Sequence, residues 1–211
     1  MLRAMLYRGM DRKALDAAYN NTAAVGEARR DQYVAGWSAR SDALRKAWGG
    51  RIDLPYGAGA RERLDVFACG MAAAPTLVYI HGGYWQFNDK EPYAFLGESL
   101  LPAGFNLALV EYTLAPAARM DQIAAEIRRA LAWIIRHAKE LGGDPERVFV
   151  AGHSAGGHLT AMAMNDPRVG DVVHVVPNHC CVVSNMVDEV HGVRKGGVEV
   201  TWPVTARGKV R

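Results

Sequence analysis

The chain has 211 residues, a net charge of +3, an apolar half and 22% charged residues. That balance suits one globular domain with a sizeable core and excludes a disordered polyampholyte. Its Lys and Arg residues are scattered, which leaves no electrostatic footprint for nucleic acid, and no apolar run nears the roughly 18 residues of a membrane span.

The opening Met1-Leu2-Arg3-Ala4-Met5-Leu6-Tyr7-Arg8 is too short and too broken by Arg to act as a secretory h-region. Cys69, Cys180 and Cys181 do not make a disulfide framework, so a reducing cytoplasm is the expected compartment. Asp11 to Tyr19 carries Leu15, Ala18 and Tyr19 at helical spacing. Tyr33, Trp37, Leu44 and Trp48 then share one helical face, which predicts a core-packed aromatic stripe, with a lid or substrate wall as the alternative. Gly49-Gly50 stops that helix.

Short strands are expected over Arg51 to Leu54 and Arg63 to Phe67, joined by the turn Gly57-Ala58-Gly59-Ala60. Thr76 to Ile80 and Asn106 to Tyr112 are apolar runs without alternation, the mark of strands buried on both faces. Asp121 to Leu141 is a helix with Ile123, Ile127, Leu131, Ile134 and Ile135 on one stripe, ended by Gly142-Gly143. Asp144-Pro145 turns the chain into a further buried strand, Val148 to Ala151. Strand, loop, strand, helix, strand predicts an α/β fold with a doubly wound, mostly parallel sheet.

Chemistry gathers at two strand ends. Gly152-His153-Ser154-Ala155-Gly156 follows a strand and precedes a helix, the context of a nucleophile elbow. A serine on so sharp a turn takes strained angles, and glycines two before and two after let the backbone pass close by. Ser154 is then the candidate nucleophile, at the positive end of a helix. The strand Thr76 to Ile80 runs into His81-Gly82-Gly83-Tyr84-Trp85. Acyl transfer needs preorganised donors for an oxyanion, and the amides of Gly82, Gly83 and Ala155, with Tyr84 as a further candidate, are placed to supply them.

These motifs, with Tyr112-Thr113-Leu114-Ala115-Pro116, Gly157-His158-Leu159 and the opening Tyr7-Arg8-Gly9-Met10-Asp11, carry a family likeness. Over residues 1 to about 165 the chain resembles α/β-hydrolases of the hormone-sensitive-lipase-like esterases, and more closely the serine-type arylformamidases, or kynurenine formamidases. The resemblance implies hydrolysis of a carboxylic ester or N-formyl amide through an acyl-enzyme on Ser154. It also implies that Tyr84 and Trp85 shape the acyl pocket, and that His158 and His81 are structural. No cofactor is implied, and the His-rich motif of the metal-dependent formamidases is lacking. The expected partner is a small ester or amide substrate, with no nucleic acid and no membrane; a homodimer stays open.

In this fold the triad runs Ser, then Asp or Glu, then His. At about 30 residues per strand–helix unit, acid and base fall roughly 60 and 90 residues past Ser154. Residues 166–211 read differently: they hold fourteen Val and no Leu or Ile, against seven Val and sixteen Leu before them. Two units are therefore expected, the N-terminal two-thirds of a hydrolase domain over 1–165 and an atypical Val-rich tail over 166–211, frameshifted or spliced on. Asp166, Asp171, Asp188, His174, His179 and His191 are the tail's candidate substitutes for acid and base. His174 lies in a strand-like Val run, and His179-Cys180-Cys181 lacks a second ligand pair at zinc spacing, so no metal is expected. The expectation is a C-terminally truncated hydrolase fold, impaired for want of acid and base, with a non-catalytic domain keeping the acyl pocket as the alternative. Its strand Val148 to Ala151, central in the resembled fold, would then lie at an edge, open to pairing with Val172 to Val176.

Overall fold

A computed structural model describes residues 9–18, 20, 23, 25–164, 189–194 and 197–203. Two helices lead in, α1 (Arg12–Ala18) and α2 (Glu27–Trp48). The strands β1 (Arg51–Pro55), β2 (Arg63–Phe67), β3 (Ala74–Ile80), β4 (Asn106–Val110) and β5 (Gly143–Gly152) build one sheet in the order β1-β2-β4-β3-β5. The β1–β2 and β2–β4 pairs are antiparallel, and β4, β3 and β5 run parallel.

The crossover from β3 to β4 carries a 3-10 helix (Glu91–Leu96) and the short α3 (Gly97–Leu100). The crossover from β4 to β5 carries α4 (Met120–His137) and a closing 3-10 turn, Lys139–Leu141. Helix α5 (Ala155–Met164) leaves the top of β5. A separate antiparallel hairpin pairs β6 (Glu189–Arg194) with β7 (Gly197–Pro203). No helix among the described residues is long and apolar enough to cross a membrane.

Strand alternation sorts the side chains into two cores. Leu64, Val66, Val78, Ile80, Ala108 and Val110 point to one face, where Ile123, Ile127, Leu131 and Ile134 of α4 and Leu159 of α5 cover them. Phe67, Leu107 and Leu109 point to the other, against Leu44 of α2 and Ala94 and Leu101 of the first crossover. The α4 stripe thus packs as its spacing dictates, and the expected α/β architecture stands.

Three local expectations change. The α2 stripe is not core: Tyr33, Trp37 and Trp48 are 49%, 36% and 45% exposed, and only Ser41 and Leu44 are buried. The aromatic rings instead lie along the helix margin, Trp37 stacked 6.0 Å from Phe95 and Trp48 Nε1 donating to the Ala68 carbonyl at 2.8 Å. The turn at Asp144-Pro145 is absorbed into β5, where pairing jumps from Ala74–Gly143 to Thr76–Val148 and bulges out the residues between. The last turn of the predicted 121–141 helix tightens to 3-10 geometry. Among the described residues β5 forms an edge of its sheet, while Val172 to Val176 lie outside them.

Candidate active site

Strands β3 and β5 are adjacent and parallel, so their C-terminal ends deliver the two motifs side by side. Register pairs Ile80 with Gly152, and the His153 amide reaches the Ile80 carbonyl at 3.3 Å. Beyond that point His81-Gly82-Gly83 and His153-Ser154 leave the sheet together. A methyl group on Gly82 would sit 3.1 Å from Ser154 Cβ and 2.6 Å from the His153 carbonyl oxygen.

Ser154 occupies the turn between β5 and α5 with φ at 54°, in the left-handed region that an L-residue visits at a cost. The surrounding glycines are there for space. A methyl on Gly156 would lie 2.0 Å from the Ile80 carbonyl oxygen, and one on Gly152 would lie 2.3 Å from the Gly156 carbonyl carbon. Helix α5 begins at Ala155, so the Ser154 side chain stands at its N-terminus. Among the described residues, the amides of Gly82, Gly83, Tyr84 and Ala155 donate no hydrogen bond.

The loop after β3 is tightly wound. Gly83 has φ at 117°, and Tyr84 and Trp85 follow at 56° and 60°. The Gly83 carbonyl accepts from Gln86 and Phe87 amides at 2.9 and 2.8 Å, and the Trp85 carbonyl accepts from the Ala115 amide at 2.7 Å. Tyr84 and Phe87 present their rings to solvent. Trp85 turns inward and meets His158 of α5 edge to face, centroids 5.2 Å apart. His158 lies one turn beyond Ser154, and burial holds its pKa below the usual imidazole value.

Beneath the loop lies a polar hub that sequence reasoning missed. Glu111, at the end of β4, is buried and accepts from four directions. Its Oε1 takes His81 Nε2 at 2.9 Å, Arg61 Nη2 at 2.7 Å and the Tyr112 amide at 2.8 Å, and its Oε2 takes the Lys90 amide at 3.0 Å. His81 stacks on Tyr112 at 4.4 Å, and the Tyr112 hydroxyl donates to the His81 carbonyl at 3.0 Å. Burial first, and the Glu111 charge second, push the Tyr112 phenol pKa up, so the ring stays neutral. The available signal was a lone acid closing the apolar run of β4, since a buried carboxylate must find partners.

Asp89, Glu91 and Glu111 bring carboxylate oxygens within 4.8 Å of one another. Each already has a cation: Arg61 for Asp89 and Glu111, and Lys90 for Glu91. The group is accounted for as an ion-pair cluster. Two cavities open elsewhere, one of about 370 Å³ lined by Trp48, Arg51, Glu140 and Gly142, the other of about 320 Å³ lined by Thr113, Gln122, Glu126 and Arg129. Ser154 lines neither. Asp166, Asp171, His174, His179 and Asp188 lie outside the described residues, and His191 falls in β6.

Known proteins place this arrangement. The family profile BD-FAE matches residues 64–180, more than half of the chain and the stretch that holds both motifs. The chain belongs to the BD-FAE family. Its likeness to curated proteins is of the same kind. The chain is 35% identical over 116 residues to kynurenine formamidase of Salmo salar, covering 54% of this chain and 38% of that protein. It is 35% identical over 126 residues to the esterase LipQ of Mycobacterium tuberculosis, covering 56% and 30%. The chain thus spans about two fifths or less of the length of these relatives. A solved structure of a candidate thioesterase from Silicibacter sp. superposes with a TM-score of 0.65 at 33% identity, over 77% of this chain and 63% of that one. Esterase B of Lactobacillus rhamnosis, at 23% identity and a TM-score of 0.57 over 76% of this chain and 58% of that one, shows the shared fold alone. This BD-FAE chain therefore has the α/β-hydrolase fold, and its relatives are hydrolases of esters and formamides.

Proposed function

We propose that the chain is a serine hydrolase acting on a carboxylic ester or an N-formyl amide, with Ser154 as nucleophile and an acyl-enzyme as intermediate. The observation that carries this reading is the convergence of the strained Ser154 turn with the Gly82-Gly83 loop, which a Gly82 methyl would close to 3.1 Å. Attack by Ser154 Oγ on the acyl carbon moves the carbonyl electron pair onto oxygen. The amides of Gly83 and Ala155, unclaimed among the described residues, with Gly82 beside them, are the donors for that charge. Tyr84 and Trp85 frame the acyl side. No metal or cofactor has a role in this scheme.

The reaction also needs a base for the serine proton. His81 has both ring nitrogens committed, to the Gly82 carbonyl and to Glu111. His137 Nδ1 bonds the Trp133 carbonyl within α4 and stacks its ring on Trp133. His158 is packed against Trp85, and no carboxylate among the described residues pairs with it. These three histidines are therefore not placed as that base, and without one the oxyanion donors and binding would supply only residual catalysis.

A fluorophosphonate probe and an activated aryl ester test the proposal. Slow covalent labelling that Ser154→Ala abolishes is the expected result. Turnover at ordinary enzyme rates would show that a residue other than these three histidines serves as the base. Reversible acyl-ligand binding without any labelling would favour a non-catalytic domain.

A further inference from the structure

The Gly82–Gly83 peptide is gripped from one side. Its carbonyl oxygen lies 2.8 Å from His81 Nδ1 and 3.2 Å from Asn88 Nδ2. A peptide unit is planar and trans, so its C=O and N–H point in opposite directions. Whatever holds the Gly82 carbonyl therefore aims the Gly83 amide, which donates no hydrogen bond among the described residues.

His81 can grip that carbonyl only if Nδ1 carries a hydrogen. Its Nε2 faces Glu111 Oε1 at 2.9 Å. That oxygen already accepts from Arg61 Nη2 and the Tyr112 amide, and the other oxygen accepts from the Lys90 amide. Glu111 surrounded by donors is a carboxylate with no hydrogen to give, so Nε2 must donate too. An imidazole that donates from both nitrogens carries a hydrogen on each.

We propose that His81 and Asn88 are positioning residues for the oxyanion hole. Together they lock the Gly82 carbonyl so that the Gly83 amide on the same peptide points at the developing oxyanion, and Glu111 keeps the His81 ring donating from both sides. Two donors on one carbonyl also polarise the peptide and strengthen the N–H opposite. The inference rests on Ser154 being the nucleophile and adds the residues that prepare its electrostatic partner.

Labelling kinetics with a fluorophosphonate separate the two claims. In that reaction the Ser154 oxygen–phosphorus bond forms, fluoride leaves, the serine proton passes to solvent, and negative charge grows on the phosphoryl oxygen. Asn88 is exposed and sits at φ 75°, a conformation that Asp and Gly both adopt, so Asn88→Asp and Asn88→Gly should fold, with a thermal melt as the check. Each should lower the maximal labelling rate about tenfold, an indirect share of what loss of one oxyanion donor costs, with the concentration for half-maximal rate unchanged. Nitrogen-15 NMR of the parent should show hydrogens on both ring nitrogens of His81. A parent that labels while both variants keep its rate would overturn the positioning role of Asn88. A bare nitrogen on the His81 ring would overturn that of His81. A parent that never labels at Ser154 would overturn the nucleophile reading itself, and the inference with it.

Discussion

The two faces of the sheet are covered by different means. On one, α4 lays Ile123, Ile127, Leu131 and Ile134 onto Val66, Val78, Ile80 and Val110, an apolar contact with polar ties at its margin, Arg129 to Glu62 and the Thr113 amide to Glu126. On the other, α2 buries little more than Leu44 and is tied down by polar links. Arg45 pairs with the fully buried Asp65 at 2.6 Å, Arg40 with Glu98 at the surface, and Ser41 Oγ accepts from the Phe95 amide at 3.0 Å. Lys90 closes the same network with Asp53, Glu91 and Asp65. Burial pulls the Lys90 pKa down, but its hydrogen bonds to Asp53 and Glu91 and the Asp65 charge outweigh it and raise the value, so the ammonium stays charged. A non-directional apolar face tolerates small shifts; a network of paired charges fixes one geometry and fails when a partner is removed.

That contrast can be broken at several points. The largest effect is expected on the apolar face. Ile127 is fully buried, and Ile127→Ala should cost about 4 kcal/mol, through lost transfer energy and an unfilled cavity. A urea melt at unchanged slope measures it; a loss under about 1 kcal/mol would mean that α4 is not the main cover. On the polar face, Arg45→Met should cost about 3 kcal/mol, because it strands the Asp65 carboxylate. Lys90 at 3.3 Å gives partial relief, so the further change Asp65→Asn in the same chain should recover part of the loss. If the single change is silent, the network is ornamental.

The third change separates α2's aromatic margin from its polar anchors. Trp37→Ala removes a half-exposed ring stacked on Phe95 and should cost under about 1 kcal/mol. A loss comparable to Ile127→Ala would restore the aromatic stripe as a core element.

The same contrast explains what the sequence disclosed. Helix α4 was legible because its stability comes from periodic apolar residues, and period is what a sequence displays. The sharp turn at Ser154 was legible because Ser154, Gly152 and Gly156 answer to a local steric demand, visible in five consecutive residues. Helix α2 was misread because Tyr33, Trp37 and Trp48 share the spacing of a core stripe, yet the face that docks is chosen by Arg45 finding Asp65, twenty residues away. Glu111 and Asn88 escaped notice for a related reason. Their roles depend on partners from β3, β4 and the β1–β2 turn, which only the folded sheet assembles.

The smallest expected effect tests a polar spot on the apolar face. His158 meets Trp85 edge to face, and its Nδ1 is buried without a partner among the described residues. Burial lowers its folded pKa, so the unfolded chain takes up a proton near the ordinary value of about 6.5 while the folded chain waits for a lower pH. Between those points the unfolded state binds more protons, and stability falls as pH falls. Above about pH 6.5 the contribution is present in full. His158→Gln keeps a polar side chain that does not titrate, so its stability should drop less than the parent's between pH 7 and roughly pH 5.5. The ring is only half buried, so solvent screens it and the difference should stay below about 1 kcal/mol. Paired urea melts at the two pH values read it as a difference of differences, which cancels the other histidines. Parallel behaviour of the two chains would mean that His158 already reaches water when folded, and that α5 packs less tightly on the Trp85 loop than the edge-to-face contact implies.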